Sequence, residues 1–178
     1  MEITTAELTI LGLVAEQPRH GYELEKVIER RGIRQWTDIG FSSIYYLLSK
    51  LEKRGLVIGA TPEGGPKSRR VFEVTAEGRR AVAEQALALV AKAQPVHHPV
   101  LVGLANLPLL PEGQYAAAIR ERLIRVQGRI DGVRAAQQAQ EPLPLPAREV
   151  FSYSLSLLEA ERAWLASRAH QVSDGSQE

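Results

Sequence analysis

Residues 42–53 (Ser-Ser-Ile-Tyr-Tyr-Leu-Leu-Ser-Lys-Leu-Glu-Lys) hold the densest set of groups able to do chemistry in this chain. At about 100° per residue, Ile44, Leu47, Leu48 and Leu51 fall in one narrow arc. Ser42, Tyr46, Ser49, Lys50 and Lys53 gather opposite it. Hydroxyls and an aromatic ring can meet base edges, and ammonium groups can neutralise phosphates. That chemistry is recognition by a helix entering a DNA major groove. Ser42 or Ser43 can also cap the helix, because a serine oxygen accepts from an otherwise unpaired backbone N–H. Tyr45 lies on the flank, placed either to touch DNA or to buttress its surroundings.

A second set of candidates closes the stretch 61–70 (Thr-Pro-Glu-Gly-Gly-Pro-Lys-Ser-Arg-Arg), whose Gly and Pro content makes it a loop. Lys67, Ser68, Arg69 and Arg70 stand at its far end, and an arginine fork there can reach a phosphate or a minor groove. Charge is distributed accordingly. The formal net charge is +1, yet residues 34–80 carry nine Lys/Arg against five acids, a net +4. Residues 95–178 carry eight against nine, a net −1. A charged helix face is ordinarily just a solvated one, so the layout around these residues decides their meaning.

Other chemistries find no foothold. Gly64-Gly65-Pro66-Lys67-Ser68 echoes a phosphate-binding loop, but Pro66 replaces the glycine before lysine and a strand follows instead of a helix. There is no cysteine, so disulfides and thiolate metal sites are excluded. His97 and His98 sit on a Pro-flanked linker without three or four convergent ligands, and read as hinge residues. No Ser/His/Asp, Cys/His or HExxH arrangement occurs. The expectation is a protein that is not an enzyme and takes neither cofactor nor metal. No apolar run approaches the ~18 residues of a membrane span, and the N-terminus lacks the pattern of a secretory signal. A cytoplasmic location follows as the expectation.

The elements that position these residues are legible in outline. Residues 4–16 predict a helix apolar nearly all round, hence buried between two partners. A second runs from near His20 to Gly32, with Tyr22 or Leu24, Val27 and Ile28 as its core positions. Residues 33–40 make the turn, with Trp36 read as structural. Gly55 ends the helix over 42–54 in a left-handed conformation. Residues 56–58 and 71–74 predict two antiparallel strands around the basic loop, and Thr75 caps a fourth helix running to about Ala93. A helix-turn-helix followed by such a hairpin is a winged helix. The fold class expected is mainly α with a small β-hairpin wing: a winged-helix domain over 1–94 and a helical domain over 95–178.

In the second part, a short helix covers 100–107 and prolines at 108 and 111 break it. A long helix over 112–140 carries Ile119, Leu123, Val126, Ile130 and Val133 at alternating four- and three-residue steps, a coiled-coil seam. After Pro142, Pro144 and Pro146, a last helix over 147–169 carries Val150, Tyr153, Leu157, Ala160 and Trp164 at similar alternation. Two narrow seams can pack on each other and on a second copy, so a homodimer is expected, reading a pseudo-palindromic duplex. Phe151, Tyr153, Leu157 and Trp164 could fill that dimer seam or line a pocket for a small-molecule effector.

Together, His20-Gly21-Tyr22-Glu23-Leu24, Ser43-Ile44-Tyr45, residues 51–57 (Leu-Glu-Lys-Arg-Gly-Leu-Val) and residues 69–78 resemble the PadR family of bacterial transcriptional regulators. Residues 107–112, Glu121-Arg122-Leu123 and residues 161–165 are similar to that family's larger helical domain. The resemblance implies a dimeric repressor, released from DNA by a small aromatic or drug-like ligand. It places Tyr45 at the family's helix-3 tyrosine and Arg69-Arg70 at its wing basic pair. Tyr46, Ser49 and Phe72 depart from the family's usual proline, basic residue and tyrosine, and the first two of these bear on operator sequence. The competing expectation is a winged helix used for protein contact alone, since fold does not fix function.

Overall fold

In a computed structural model describing residues 3–40, 43–60, 70–93, 95–111 and 113–174, the chain starts on a locally encoded helix. Helix α1 (Thr5–Glu16) is capped by Thr4, whose hydroxyl accepts from the Glu7 N–H at 3.2 Å. The Glu7 carboxylate accepts from the Thr4 N–H in return, at 3.0 Å. This reciprocal pairing satisfies two donors that a helix start leaves orphaned.

The chain continues through β1 (Arg19–His20), α2 (Gly21–Arg30), a 3₁₀ turn (Ile33–Gln35) and α3 (Ser43–Lys53). Then come β2 (Val57–Ala60), β3 (Val71–Val74) and α4 (Ala76–Ala91). These elements form one compact unit, Met1–Pro95. Helix α1 touches α3, β3 and α4, which explains why its apolar residues are not confined to one stripe. Ile10, Leu11, Leu13 and Val14 are all buried. The core is completed by Leu24, Val27 and Ile28 of α2, by Ile44, Leu47, Leu48 and Leu51 of α3, and by Phe72 and Val74 of β3. On α2 the core position belongs to Leu24, because Tyr22 is nearly half exposed. Trp36 is also half exposed and stays out of the core.

The sheet has three strands in the order β1-β3-β2, all antiparallel, with Val57 opposite Val74 and Arg19 opposite Phe72. Strand β1 was not expected: two residues are too few to show a period. Arg19 is buried there, and its Nε–H donates to the Leu13 carbonyl at 3.2 Å, closing the end of α1. Gly55 has a φ of 70° and ends α3 as expected. Thr75 caps α4 by accepting from the Gly78 N–H at 2.9 Å. Helix α4 enters so close to β2 that a Cβ on Gly78 would lie 2.1 Å from the Leu56 carbonyl oxygen.

The second compact unit, Val96–Glu178, holds α5 (Pro99–Ala105), a 3₁₀ turn (Leu107–Leu109), α6 (Gln114–Ala139) and α7 (Leu145–Asp174). Helix α7 starts two residues earlier than expected. Pro146 falls in its first turn, where a missing N–H costs nothing. Ile119, Val126 and Ile130 of α6 pack with Leu158 and Leu165 of α7, and Leu123 and Val133 flank them. The α6 seam is therefore the one the spacing predicts; the α7 seam is not. Val150, Tyr153, Leu157 and Trp164 are exposed, and the stripe they form lies roughly 100° around the helix from Leu158 and Leu165. Both stripes satisfy the same alternation, and contact with α6 selects the second. Ion pairs Arg122–Glu161 and Arg134–Glu159 tie the two helices beside the seam.

Candidate nucleic-acid interface

Burial of Ile44, Leu47, Leu48 and Leu51 fixes the rotation of α3 and turns its opposite face outward. On that face Tyr46 is 67 % exposed, and Ser49 and Lys53 are exposed beside it. Among the described residues, the side chains of these three make no hydrogen bond or ion pair. Ser43 is half-buried in the first turn of α3. Ser42, Lys67, Ser68 and Arg69 lie outside the described residues.

Three of the candidates have intramolecular duties. Tyr45 rests over the start of α2, so close that a Cβ on Gly21 would lie 2.6 Å from its ring; the flank packing weighed for it is present. The Lys50 ammonium stands 3.2 Å from Glu7 Oε1, and the Arg54 guanidinium donates to the same oxygen at 2.8 Å. Glu7 is only 1 % exposed. Burial alone would push its carboxyl up, but hydrogen bonds from the Thr4 N–H, Lys50, the Thr4 hydroxyl and Arg54 outweigh it, holding the pKa at about 2. The carboxylate thereby pins α1 to the inner edge of α3.

Arg70, at the base of the wing, forms a fork with Glu52 of α3. Its Nη1–H donates to Oε2 at 3.0 Å and its Nη2–H to Oε1. Nη2 also donates to the Gly59 carbonyl at 2.8 Å, while the Gly59 N–H donates to Glu52 Oε1 at 3.0 Å. The Arg70 hydrogen bonds, acting against burial and aided by the Gly59 N–H, hold the Glu52 carboxyl below the usual carboxylate range. On the other side of the wing base, His20 Nδ1 lies 3.2 Å from the Arg70 carbonyl. The His20 N–H donates to Glu23 Oε2 at 2.7 Å, which ties this residue to the first turn of α2.

Glu7, Glu52 and Gly59 went unnoticed in the sequence. Thr4-x-x-Glu7 is a capping-box spacing and could have marked Glu7 as bonded; nothing local marks its burial. Of the C-terminal candidates, Tyr153, Leu157 and Trp164 are exposed and Phe151 is half-buried. Among the described residues no cluster of three His, Asp or Glu could hold a metal, and no helix is long and apolar enough to cross a membrane.

Helix α2, the turn and α3, backed by β2 and β3, define a winged helix-turn-helix unit, and a second, helical unit follows it. Residues 10–84 match the Transcriptional regulator PadR-like family. No curated protein matches the sequence. Among solved structures, Bacillus subtilis PadR in complex with operator DNA superposes with a TM-score of 0.77 at 17 % identity, covering 95 % of this chain and 99 % of that one. The same protein in complex with p-coumaric acid gives 0.79 at 16 % identity, covering 96 % and 99 %. The Vibrio cholerae virulence activator AphA gives 0.70 at 18 %, again covering 96 % and 99 %. At such identities the likeness establishes a common fold through both units.

Proposed function

We propose that this PadR-like chain is a sequence-specific DNA-binding regulator, acting as a cytoplasmic homodimeric repressor. The observation that carries this is the division of α3, with an apolar face in the core and Tyr46, Ser49 and Lys53 turned outward. In this reading α3 enters the major groove, with Ser42, Ser43 and Tyr45 near its start, and Lys50 and Lys53 close to phosphates. Lys67, Ser68 and Arg69 of the wing meet the backbone or the adjacent minor groove. A face meant for protein would carry exposed apolar residues where the serine and lysine stand.

The test is fluorescence anisotropy of the purified chain on DNA from upstream of its own gene, against scrambled duplex at two salt concentrations. Preferential, salt-sensitive binding is expected. Equal or absent binding on every genomic fragment tried would favour the protein-contact role instead. Lys53→Ala should weaken all duplexes alike and reduce the magnitude of the salt slope by about 0.9, the share of one phosphate. A slope equal to the parent's would remove Lys53 from the interface.

The exposed stripe of Val150, Tyr153, Leu157 and Trp164 supports the homodimer: it is an apolar face that α6 leaves uncovered. Leu157, 56 % exposed in the single chain, should tolerate Leu157→Asp without unfolding yet shift sedimentation from dimer to monomer. A dimer undiminished at micromolar concentration would place the contact elsewhere. Because the similar Bacillus subtilis PadR is known in complex with operator DNA and with p-coumaric acid, the effector class proposed here is a small aromatic acid. Such a ligand would act by binding the DNA-free population better.

A further inference from the structure

Arg70 belongs by sequence to the basic end of the wing, yet its guanidinium is turned to the protein. Both Glu52 oxygens and the Gly59 carbonyl receive its hydrogens, and its Cζ lies 5.2 Å from the centre of the Phe72 ring. Glu52 sits on α3 one residue before Lys53 and returns the contact by accepting from the Gly59 N–H. Gly59 pairs with Phe72, one residue short of the Ala60–Val71 pair that ends the described ladder. The clasp thus joins three chain segments: α3, the outgoing strand of the wing and the returning one. It also has no room for a side chain at 59, because a Cβ there would lie 2.3 Å from Arg70 Nη2 and 2.9 Å from Glu52 Oε1.

We propose that Glu52, Arg70 and Gly59 form a clasp that sets the angle of the wing against the recognition helix, making Arg70 a positioning residue and not a phosphate contact. This rests on the DNA-binding reading above. A carboxylate beside a DNA-facing lysine would ordinarily oppose binding, since it repels phosphate. Its presence on α3 is explained by what it holds. The bidentate arginine–carboxylate fork suits the task because it fixes orientation as well as distance. Two hydrogen bonds to one residue, at the N–H and at the C=O of Gly59 and hence on the two peptide units that flank its Cα, stop the strand from rotating about its own axis. Wing and helix then present their cations at one fixed spacing, and the duplex does not have to select it from an ensemble.

Three substitutions that change charge in different directions test the assignment. Glu52→Gln removes a negative charge, Arg70→Gln removes a positive one, and Gly59→Ala alters none. Operator affinity of each full-length variant would be measured by anisotropy across a salt series, alongside its thermal midpoint. All three are expected to weaken operator binding together, by about tenfold, with the salt slope unchanged. The swapped pair Glu52→Arg with Arg70→Glu should recover part of the loss, which general destabilisation would not allow. Affinities that instead follow charge would overturn the clasp: Glu52→Gln tighter, Arg70→Gln weaker with a slope smaller by about 0.9, and Gly59→Ala unaltered. Should a variant melt below the assay temperature, amide exchange of Gly59 in Glu52→Gln, measured in the cold, supplies the decision. Exchange no faster than in the parent would overturn the clasp, and faster exchange would support it. If the parent itself binds no DNA, the functional reading fails first, and the outcomes are thereby told apart.

Discussion

Replacing Gly78 with alanine is expected to destabilise the N-terminal unit by about 2–3 kcal/mol, even though alanine is the better helix former. Two effects compete. Gly78 lies in the first turn of α4, where alanine would gain up to about 1 kcal/mol in backbone entropy. Against this, the new Cβ would sit 2.1 Å from the Leu56 carbonyl oxygen and 2.9 Å from Val74 Cγ2. The obstruction is backbone, and it is held: Leu56 O accepts from the Thr75 N–H at 3.0 Å and from the Thr75 hydroxyl at 3.2 Å. It cannot withdraw without breaking the cap that starts α4, so the steric cost outweighs the entropic gain. Gly12, midway along α1, gives the matched control. Nothing lies within 4 Å of its added Cβ, so Gly12→Ala should be neutral or stabilising by up to about 1 kcal/mol. Urea melts of the two variants should move in opposite directions. A Gly78→Ala midpoint equal to the parent's would mean that α4 docks with slack the geometry does not show.

Glu7 carries the second large effect. Glu7→Ala removes a buried carboxylate, half of the α1 capping box and the partner of two cations on α3, at an expected cost of about 3–5 kcal/mol. The loss should be read on the N-terminal transition. Acid should produce a related loss in the parent. The folded pKa of about 2 lies below the ordinary value of 4.5, so the stabilisation is fully present above about pH 4.5. It is then lost as pH falls from there toward 2, and by linkage amounts to about 3 kcal/mol. Glu16 and Glu52 also have lowered pKa values and contribute acid lability of their own. The diagnostic quantity is therefore the difference between parent and Glu7→Gln. That difference should be largest near neutrality and shrink below pH 4.5; a difference constant from pH 2.5 to 7 would exclude Glu7 as a titrating stabiliser.

What could be read in the sequence follows from what each feature depends on. The two faces of α3 depend only on helical period, and Leu47, Leu48 and Leu51 are buried where the period puts them. Gly55 and Thr75 act within a few residues of themselves, and both close or open a helix as their types suggest. Helix α7 fails the same treatment because it carries two apolar stripes of nearly equal spacing. Only the position of α6 decides that Leu158 and Leu165 turn inward while Leu157 and Trp164 do not. The ion pairs were illegible for another reason. Glu7 meets Arg54 across 47 positions and Glu52 meets Arg70 across 18, so no local pattern relates the partners. Residue type alone therefore shows where the cations stand along the chain but not that Lys50 and Arg70 each have an acid beside them.

The separation of duties along α3 has a consequence for how such a protein diverges. Lys50, Glu52 and Arg54 are bound into the fold, and changing any of them disturbs its attachment to α1 or to the wing. Tyr46, Ser49 and Lys53 interleave with them and support nothing else among the described residues. The helix is thus a fixed mount with three interchangeable faceplates. Under the DNA-binding role proposed above, target preference can change at those positions at little cost to folding, while the architecture stays intact.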